Sequence, residues 1–187
     1  MAKIDKVKIL GIDPGTQVMG YAVLDYYFGH FNVEALGVFK LKKFETHQEK
    51  LKEIFLQTQD LIEMYLPAEM AIEAPFYGKN VQSMLKLGRA QGVTIAAGIT
   101  MGLNITEYAP KKIKVSVTGN GNATKEQVAA MLTNQFKIDL SKQYLDATDA
   151  LATAACHFYQ NKHLATGQKR YDSWDSYLKD NPKRRKK

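Results

Sequence analysis

Near the start of the chain, Val, Ile, Leu, Tyr and Phe fill three runs of strand composition, residues 7–13, 18–25 and 31–41. Pro14 and Gly15 separate the first two and Gly29-His30 the last two, so the pattern predicts an antiparallel meander whose first hairpin carries Asp13 at its tip. The period then changes. Thr46-His47-Gln48-Glu49 has the form of a capping box, and Leu51, Ile54, Phe55, Thr58, Leu61, Ile62, Tyr65 and Leu66 recur at helical spacing. This predicts an amphipathic helix that ends before Pro67 and turns that face to the core.

Met70-Ala71-Ile72-Glu73 reads as a short strand that Ala74-Pro75 stops. A long helix follows over 80–103, and a fifth strand over 104–108. Pro110 opens a short basic helix that closes in the loop Thr118-Gly119-Asn120-Gly121-Asn122. A second capping box, Thr124 with Gln127, starts another helix through Val128, Met131, Leu132 and Phe136, and a last helix runs over about 145–161. A strand reached from the meander through a helix runs parallel to its neighbour, which brings Asp13 and Glu73 to one edge of the sheet. The element order predicts an α/β fold, a mixed five-stranded sheet with helices on both faces. Residues 1–165 form this domain and 166–187 a polar, basic tail that includes Tyr171, Trp174 and Tyr177.

Composition narrows the setting. At 187 residues and 45% hydrophobic content the chain buries the core of one domain. No apolar run reaches membrane-spanning length and the first residues lack an apolar signal core, so the expected location is the cytoplasm, away from any membrane. The single Cys156 excludes an internal disulfide and reads as a small buried residue. Of the net charge of +7, the run from Lys183 to Lys187 supplies +5, which leaves +2 for the rest. A polyanionic partner would therefore meet a local patch rather than a general positive field.

The candidate chemistry is acidic. Asp13 at the end of an apolar strand needs a cationic counterpart, whether a metal, a lysine or a turn amide. Asp146 and Asp149, at i and i+3, project from one side of the last helix. Taken alone, they also fit two N-terminal helix acids favoured by the macrodipole. The near-apolar segment that follows, residues 150–155, makes this helix pack closely on the sheet, so the pair sits within the structure rather than on a free surface, and its combination with two acids at strand ends points to a shared site. Hard oxygen ligands without cysteine suit Mg²⁺ or Mn²⁺ rather than zinc. Two such ions can activate a water and stabilise a leaving oxygen in phosphodiester hydrolysis. His157 lies about 12 Å along the helix axis from Asp149 and reads as structural.

Gly11-Ile12-Asp13-Pro14-Gly15-Thr16, Ile72-Glu73, Lys86-Leu87-Gly88-Arg89-Ala90-Gln91-Gly92, Val117-Thr118-Gly119-Asn120-Gly121 and Asp146-Ala147-Thr148-Asp149-Ala150-Leu151 occur in that order. Together they resemble the successive signatures of the RuvC crossover junction endodeoxyribonucleases, the bacterial Holliday-junction resolvases. The resemblance implies an RNase H-like fold and a Mg²⁺-dependent, structure-selective endonuclease with two ions per site, for which Mn²⁺ can substitute. It further implies that Asp13, Glu73, Asp146 and Asp149 hold the metal, and that Lys114 and Lys125 bind phosphate or stabilise transition-state charge.

Phe76 would stack on an unpaired base, although it and Tyr77 also suit a plug against the core; Lys79, Lys86, Arg89, Lys111 and Lys112 would meet the DNA backbone. The implied partners are a four-way DNA junction, a second copy of the chain and the RuvA–RuvB branch-migration complex. The helix that carries Val81 and Gly102 is the candidate dimer face, although burial under the sheet also explains its small residues. Two other functions compete. An actin-like or sugar-kinase-like ATPase shares the opening hairpin, but this chain has only one and is short for two lobes. A non-catalytic nucleic-acid-binding module would leave the four acids to repel the backbone they approach.

Overall fold

A computed structural model describes residues 6–27, 30–75, 80–166 and 178–179, with the side chains of 162–166 left out. The three opening strands are β1 (Lys6–Asp13), β2 (Val18–Tyr27) and β3 (His30–Lys40). Helix α1 (His47–Tyr65) leads to β4 (Glu69–Glu73), α2 (Val81–Thr100) to β5 (Asn104–Tyr108), and three helices follow, α3 (Pro110–Thr118), α4 (Lys125–Phe136) and α5 (Leu145–Thr166). The sheet order is β3-β2-β1-β4-β5. β1 pairs antiparallel with β2, β2 with β3, and the β1–β4 and β4–β5 ladders are parallel. This is the mixed five-stranded sheet expected from the element order.

Strand alternation assigns each side chain its face. Leu10 and Ile12 of β1, with Met70 and Ile72 of β4, pack with Ile54, Leu61 and Ile62 of α1 and Ala90 of α2. Ile9 and Ala71 point the other way and pack with Ile113, Leu132, Leu151 and Ala155 of the three C-terminal helices. Asp13 and Glu73 share the parity of Ile9 and Ala71, so both carboxylates emerge on the α5 face.

Both capping boxes form, with Thr46 accepting from the Glu49 amide and Thr124 from the Gln127 amide. The α1 face is less complete than its spacing predicts. Leu66 ends the helix in the left-handed conformation at φ 49° and is 76% exposed, because the chain must reverse there to enter β4. Helix α2 stops at Thr100 rather than 103, where Gly102 takes a positive φ. Helix α5 runs five residues beyond the expected 161, to Thr166. Tyr171, Trp174, Tyr177 and the terminal basic run lie outside the described residues.

The contact that matters most for the site is α5 on the sheet. A Cβ on Gly11 would stand 2.2 Å from the Ala150 carbonyl oxygen, and one on Gly20 would stand 1.8 Å from that of Asp146. Only glycine lets the backbones of β1 and β2 meet the first two turns of the helix. Ala147, Ala150 and Ala154, each fully buried, complete this seam.

Candidate active site

Strand register brings Asp13 and Glu73 to one edge of the sheet, and the seating of α5 sets its acids beside that edge. Asp13 ends β1 opposite Gly20 of β2, and Gly20 in turn receives the backbone of Asp146. Glu73 ends the neighbouring parallel strand, where its register partner is Tyr108 and the next amide, Ala74, donates to the Tyr108 carbonyl at 2.9 Å. Asp149 lies one turn into α5, the element seated on Gly11 and Gly20.

A groove of about 700 Å³ opens between these elements, lined by Asp13, Glu73 and Asp149 with Lys111, Lys114 and Lys125. Ile113, Val128 and Ala152 form its apolar wall, and Asn122 stands at its rim. A smaller cavity of about 140 Å³, bounded by Pro14, Pro75 and Leu87, meets it at Asp13 and Glu73.

Burial and like charge dominate the electrostatics. Burial, then the charges of Glu73, Asp149 and Asp146, push the Asp13 carboxyl up to about 8. Burial and Asp149 push Glu73 up to about 7. Asp149 is raised as well, by burial first, against the opposing pull of Lys125. Burial disfavours the Lys125 ammonium, yet its hydrogen bond and ion pair with Asp149, helped by Asp13 and Asp146, leave its pKa above the ordinary value. The carboxylates thus hold Lys125 in its charged form, while burial and their own repulsion favour protons on Asp13, Glu73 and Asp149.

Of the expected residues, the structure brings Asp13, Glu73, Asp149, Lys111, Lys114 and Lys125 to one groove. Asp146 is not part of the groove lining, although its charge acts on Asp13. Among the described residues, no three Asp, Glu, His or Cys side chains stand close enough to enclose a metal ion. The donor set nevertheless suits a hard divalent cation: it consists of carboxylates alone, two of them driven toward protonation by burial first and then by mutual repulsion.

Lys112 stands apart from the groove, with its ammonium 5.2 Å from the centroid of the Tyr108 ring. Lys86 and Arg89 are exposed on α2, and their charges, after burial, help lower the pKa of His47. Phe76, Tyr77 and Lys79 lie outside the described residues. Gly121 and Asn122 also line the groove; Gly121 closes the signature at residues 117–121, whereas Asn122 had only its place before the α4 capping box to mark it.

His157 and Cys156 are buried, as the spacing of His157 from Asp149 and the small apolar neighbours of Cys156 led one to expect. His157 is buried, bonds Glu69 through Nε2 and lies 3.0 Å from the Tyr108 hydroxyl through Nδ1. The Cys156 thiol is buried 3.2 Å from the Ser116 hydroxyl, and burial raises its pKa. No helix among the described residues is long and apolar enough to cross a membrane.

Comparison with known proteins agrees with this picture. The family model for crossover junction endodeoxyribonuclease RuvC matches residues 9–157. Proteins of that name from Christiangramia forsetii and Bacteroides fragilis are 53% and 51% identical to this chain. The first alignment covers 94% of this chain and 91% of the relative, and the second 94% of each. Among solved structures, Thermus thermophilus RuvC in complex with a Holliday junction superposes with a TM-score of 0.78 at 24% identity, over 87% of this chain and 97% of that one. The yeast mitochondrial Holliday junction resolvase Ydc2 gives 0.67 at 14% identity, over 87% and 82%. The shared architecture is the RNase H-like α/β fold.

Proposed function

This chain belongs to the RuvC family of crossover junction endodeoxyribonucleases, and from that premise we propose that it resolves four-way DNA junctions by paired, symmetric, metal-dependent nicks. The observation that carries the reading is the groove in which Asp13, Glu73 and Asp149 face Lys114 and Lys125. Divalent-metal dependence is general to this family.

In our reading Asp13, Glu73, Asp146 and Asp149 hold two Mg²⁺ ions, with Mn²⁺ as a substitute. The ions would supply an activated water and a counter-charge for the leaving oxygen. Lys114 and Lys125 approach the scissile phosphate from the α3–α4 side, and Lys111 extends that side along the backbone. Lys125 must leave Asp149 to do so, which couples its release to the arrival of other positive charge. Lys86, Arg89 and Lys112 are proposed as further backbone contacts, and Phe76, Tyr77 and Lys79 as contacts at the junction centre. The product ends implied by the family are a 5′-phosphate and a 3′-hydroxyl. Residues 1–165 would form the nuclease domain and 166–187 its basic tail.

Two symmetric nicks require two sites, and a homodimer supplies them. The small residues of α2 divide into two sets, which favours α2 as the interface. Ala90, Ala97 and Gly98 are buried under the sheet, with Gly98 against Met70 and Ile105. A Cβ on Gly88 or Gly92 would meet nothing within 4 Å. These two glycines align at helical spacing with exposed Val81, Leu85 and Ile99 in an outward stripe that burial within one chain does not explain. The RuvA–RuvB branch-migration complex is the proposed upstream partner.

The test is incubation of the pure protein with Mg²⁺ and four-way, nicked and linear duplexes. Paired nicks on the four-way substrate are expected. ATP hydrolysis without junction cutting would favour a nucleotide hydrolase instead.

A further inference from the structure

Lys114 and Lys125 flank the acids on the α3–α4 side. On the other side, at the β3 edge, stands an exposed pair with no role in the reading above. Tyr144, two residues before Asp146, is 50% exposed, and Leu145 beside it is 52% exposed. The Lys40 ammonium lies 5.4 Å from the centroid of the Tyr144 ring. Among the described residues no carboxylate pairs with Lys40.

Both members are anchored to the catalytic frame. Lys40 ends β3 opposite Val18, and the following amide, Leu41, donates to the Gln17 carbonyl at 2.9 Å, in the hairpin turn that carries Asp13. The Tyr144 carbonyl accepts from the Thr148 amide at 3.2 Å and from its hydroxyl at 3.4 Å. This ties the Tyr144 backbone to the helical turn that holds Asp146 and Asp149. In the sheet order, β3 lies two strand spacings from β1, ~10 Å. Given that strand order, a DNA strand that entered beside α3 and crossed Asp13 would leave over β2 and β3, on the side of this pair.

An exposed aromatic ring with an unpaired ammonium matches the two halves of a nucleotide, since the ring offers a stacking face to any base and the cation meets a phosphate. We propose that Tyr144 and Lys40 form a nucleotide subsite at the β3 edge of the acid cluster, stacking one unpaired base of the strand beyond the cleaved bond and pairing the adjoining phosphate. The inference rests on the nuclease reading of the groove.

The experiment uses the full chain and four-way junctions carrying 2-aminopurine at successive positions on both sides of the cut, bound in EDTA so that nothing is cleaved. For the wild type, fluorescence should report stacking at one position beyond the cut, separate from any signal at the junction centre where Phe76 is proposed to act. Tyr144→Ala should abolish that signal and weaken binding on the order of ten-fold, whereas Tyr144→Phe should keep both. Lys40→Met should reduce the salt slope of binding by about one and serves as the second probe if Tyr144→Ala folds poorly. Wild-type signal and affinity in Tyr144→Ala, or a wild-type salt slope in Lys40→Met, overturns the subsite and leaves the nuclease reading intact. A wild-type protein that neither binds nor cuts the junction overturns the nuclease reading and the subsite with it.

Discussion

Replacing Asp13 by Asn should stabilise the metal-free protein at alkaline pH while abolishing cleavage. Below about pH 4, Asp13 is protonated in both the folded and the unfolded chain and has no effect on stability. Between its ordinary value of 3.8 and the raised value of about 8, the unfolded chain releases the proton and the folded chain keeps it. The folded state then binds more protons, so metal-free stability falls as pH rises through that window and levels off above it. Glu73, raised to about 7, acts with the same sign. For Asp13 alone, about 1.36 kcal/mol per pH unit gives an upper bound of ~6 kcal/mol. The groove is open to water, which reduces the effective cost to ~2–4 kcal/mol. Asp13→Asn should therefore raise the unfolding free energy in EDTA at pH 8 by that amount, with little change at pH 4. Urea titrations followed by circular dichroism at the two pH values measure the difference. Mg²⁺ should stabilise the wild type at pH 8 and the variant less. A variant no more stable than the wild type at pH 8, or a wild-type profile flat between pH 5 and 8, would refute the reasoning.

Three other perturbations probe the frame. Lys125→Met should leave Asp149 without its partner and lower metal-free stability by only ~1 kcal/mol, since the lysine side chain is 51% exposed. It should also reduce single-turnover cleavage about 100-fold, because a donor to the phosphate is lost. Gly20→Ala forces a Cβ into the space 1.8 Å from the Asp146 carbonyl oxygen. It should cost more than ~3 kcal/mol in thermal unfolding, as α5 lifts from β2. Gly92→Arg projects into open space and should leave the melting temperature of the protomer unchanged. Light scattering should then report a monomer in place of a dimer; an unchanged dimer would place the interface elsewhere.

Local rules carried the framework. The two capping boxes, the Pro67 and Pro110 boundaries and the strand alternation each depend on residues a few positions apart, so they are visible in the chain before it folds. The joining of Asp13 to Glu73 was also legible, because the parallel crossover has one strongly preferred outcome. The close seating of α5 followed from its alanines, but its partners Gly11 and Gly20 looked like ordinary strand residues. Leu66 kept the helical period although the chain reverses there. The Lys125–Asp149 pair and the Lys40–Tyr144 contact join residues brought together only by the packing of separate elements, and neither leaves a periodic trace. The roles of Gly88 and Gly92, as against Gly98, could not be separated by spacing, since all three lie on one helix and only the position of the sheet distinguishes its sides.

The seam between α5 and the sheet has an electrostatic consequence that links the fold to the chemistry. Gly11 and Gly20 let the helix settle onto β1 and β2 at backbone contact, and this closeness forces the acids of α5 against Asp13. Apolar packing of Leu151, Ala154 and Ala155 favours the same approach that like charge opposes. In the metal-free chain the conflict is met in two ways: Asp13 and Glu73 hold protons more tightly, and Lys125 bonds Asp149. A divalent ion would replace both remedies at once, releasing protons from the carboxyls and freeing the lysine beside the phosphate. Metal uptake should accordingly be weaker at low pH, where protons compete for the same oxygens. The stability surrendered in the metal-free state then reappears as affinity for the metal, which requires the packing of the seam to exceed the repulsion it creates.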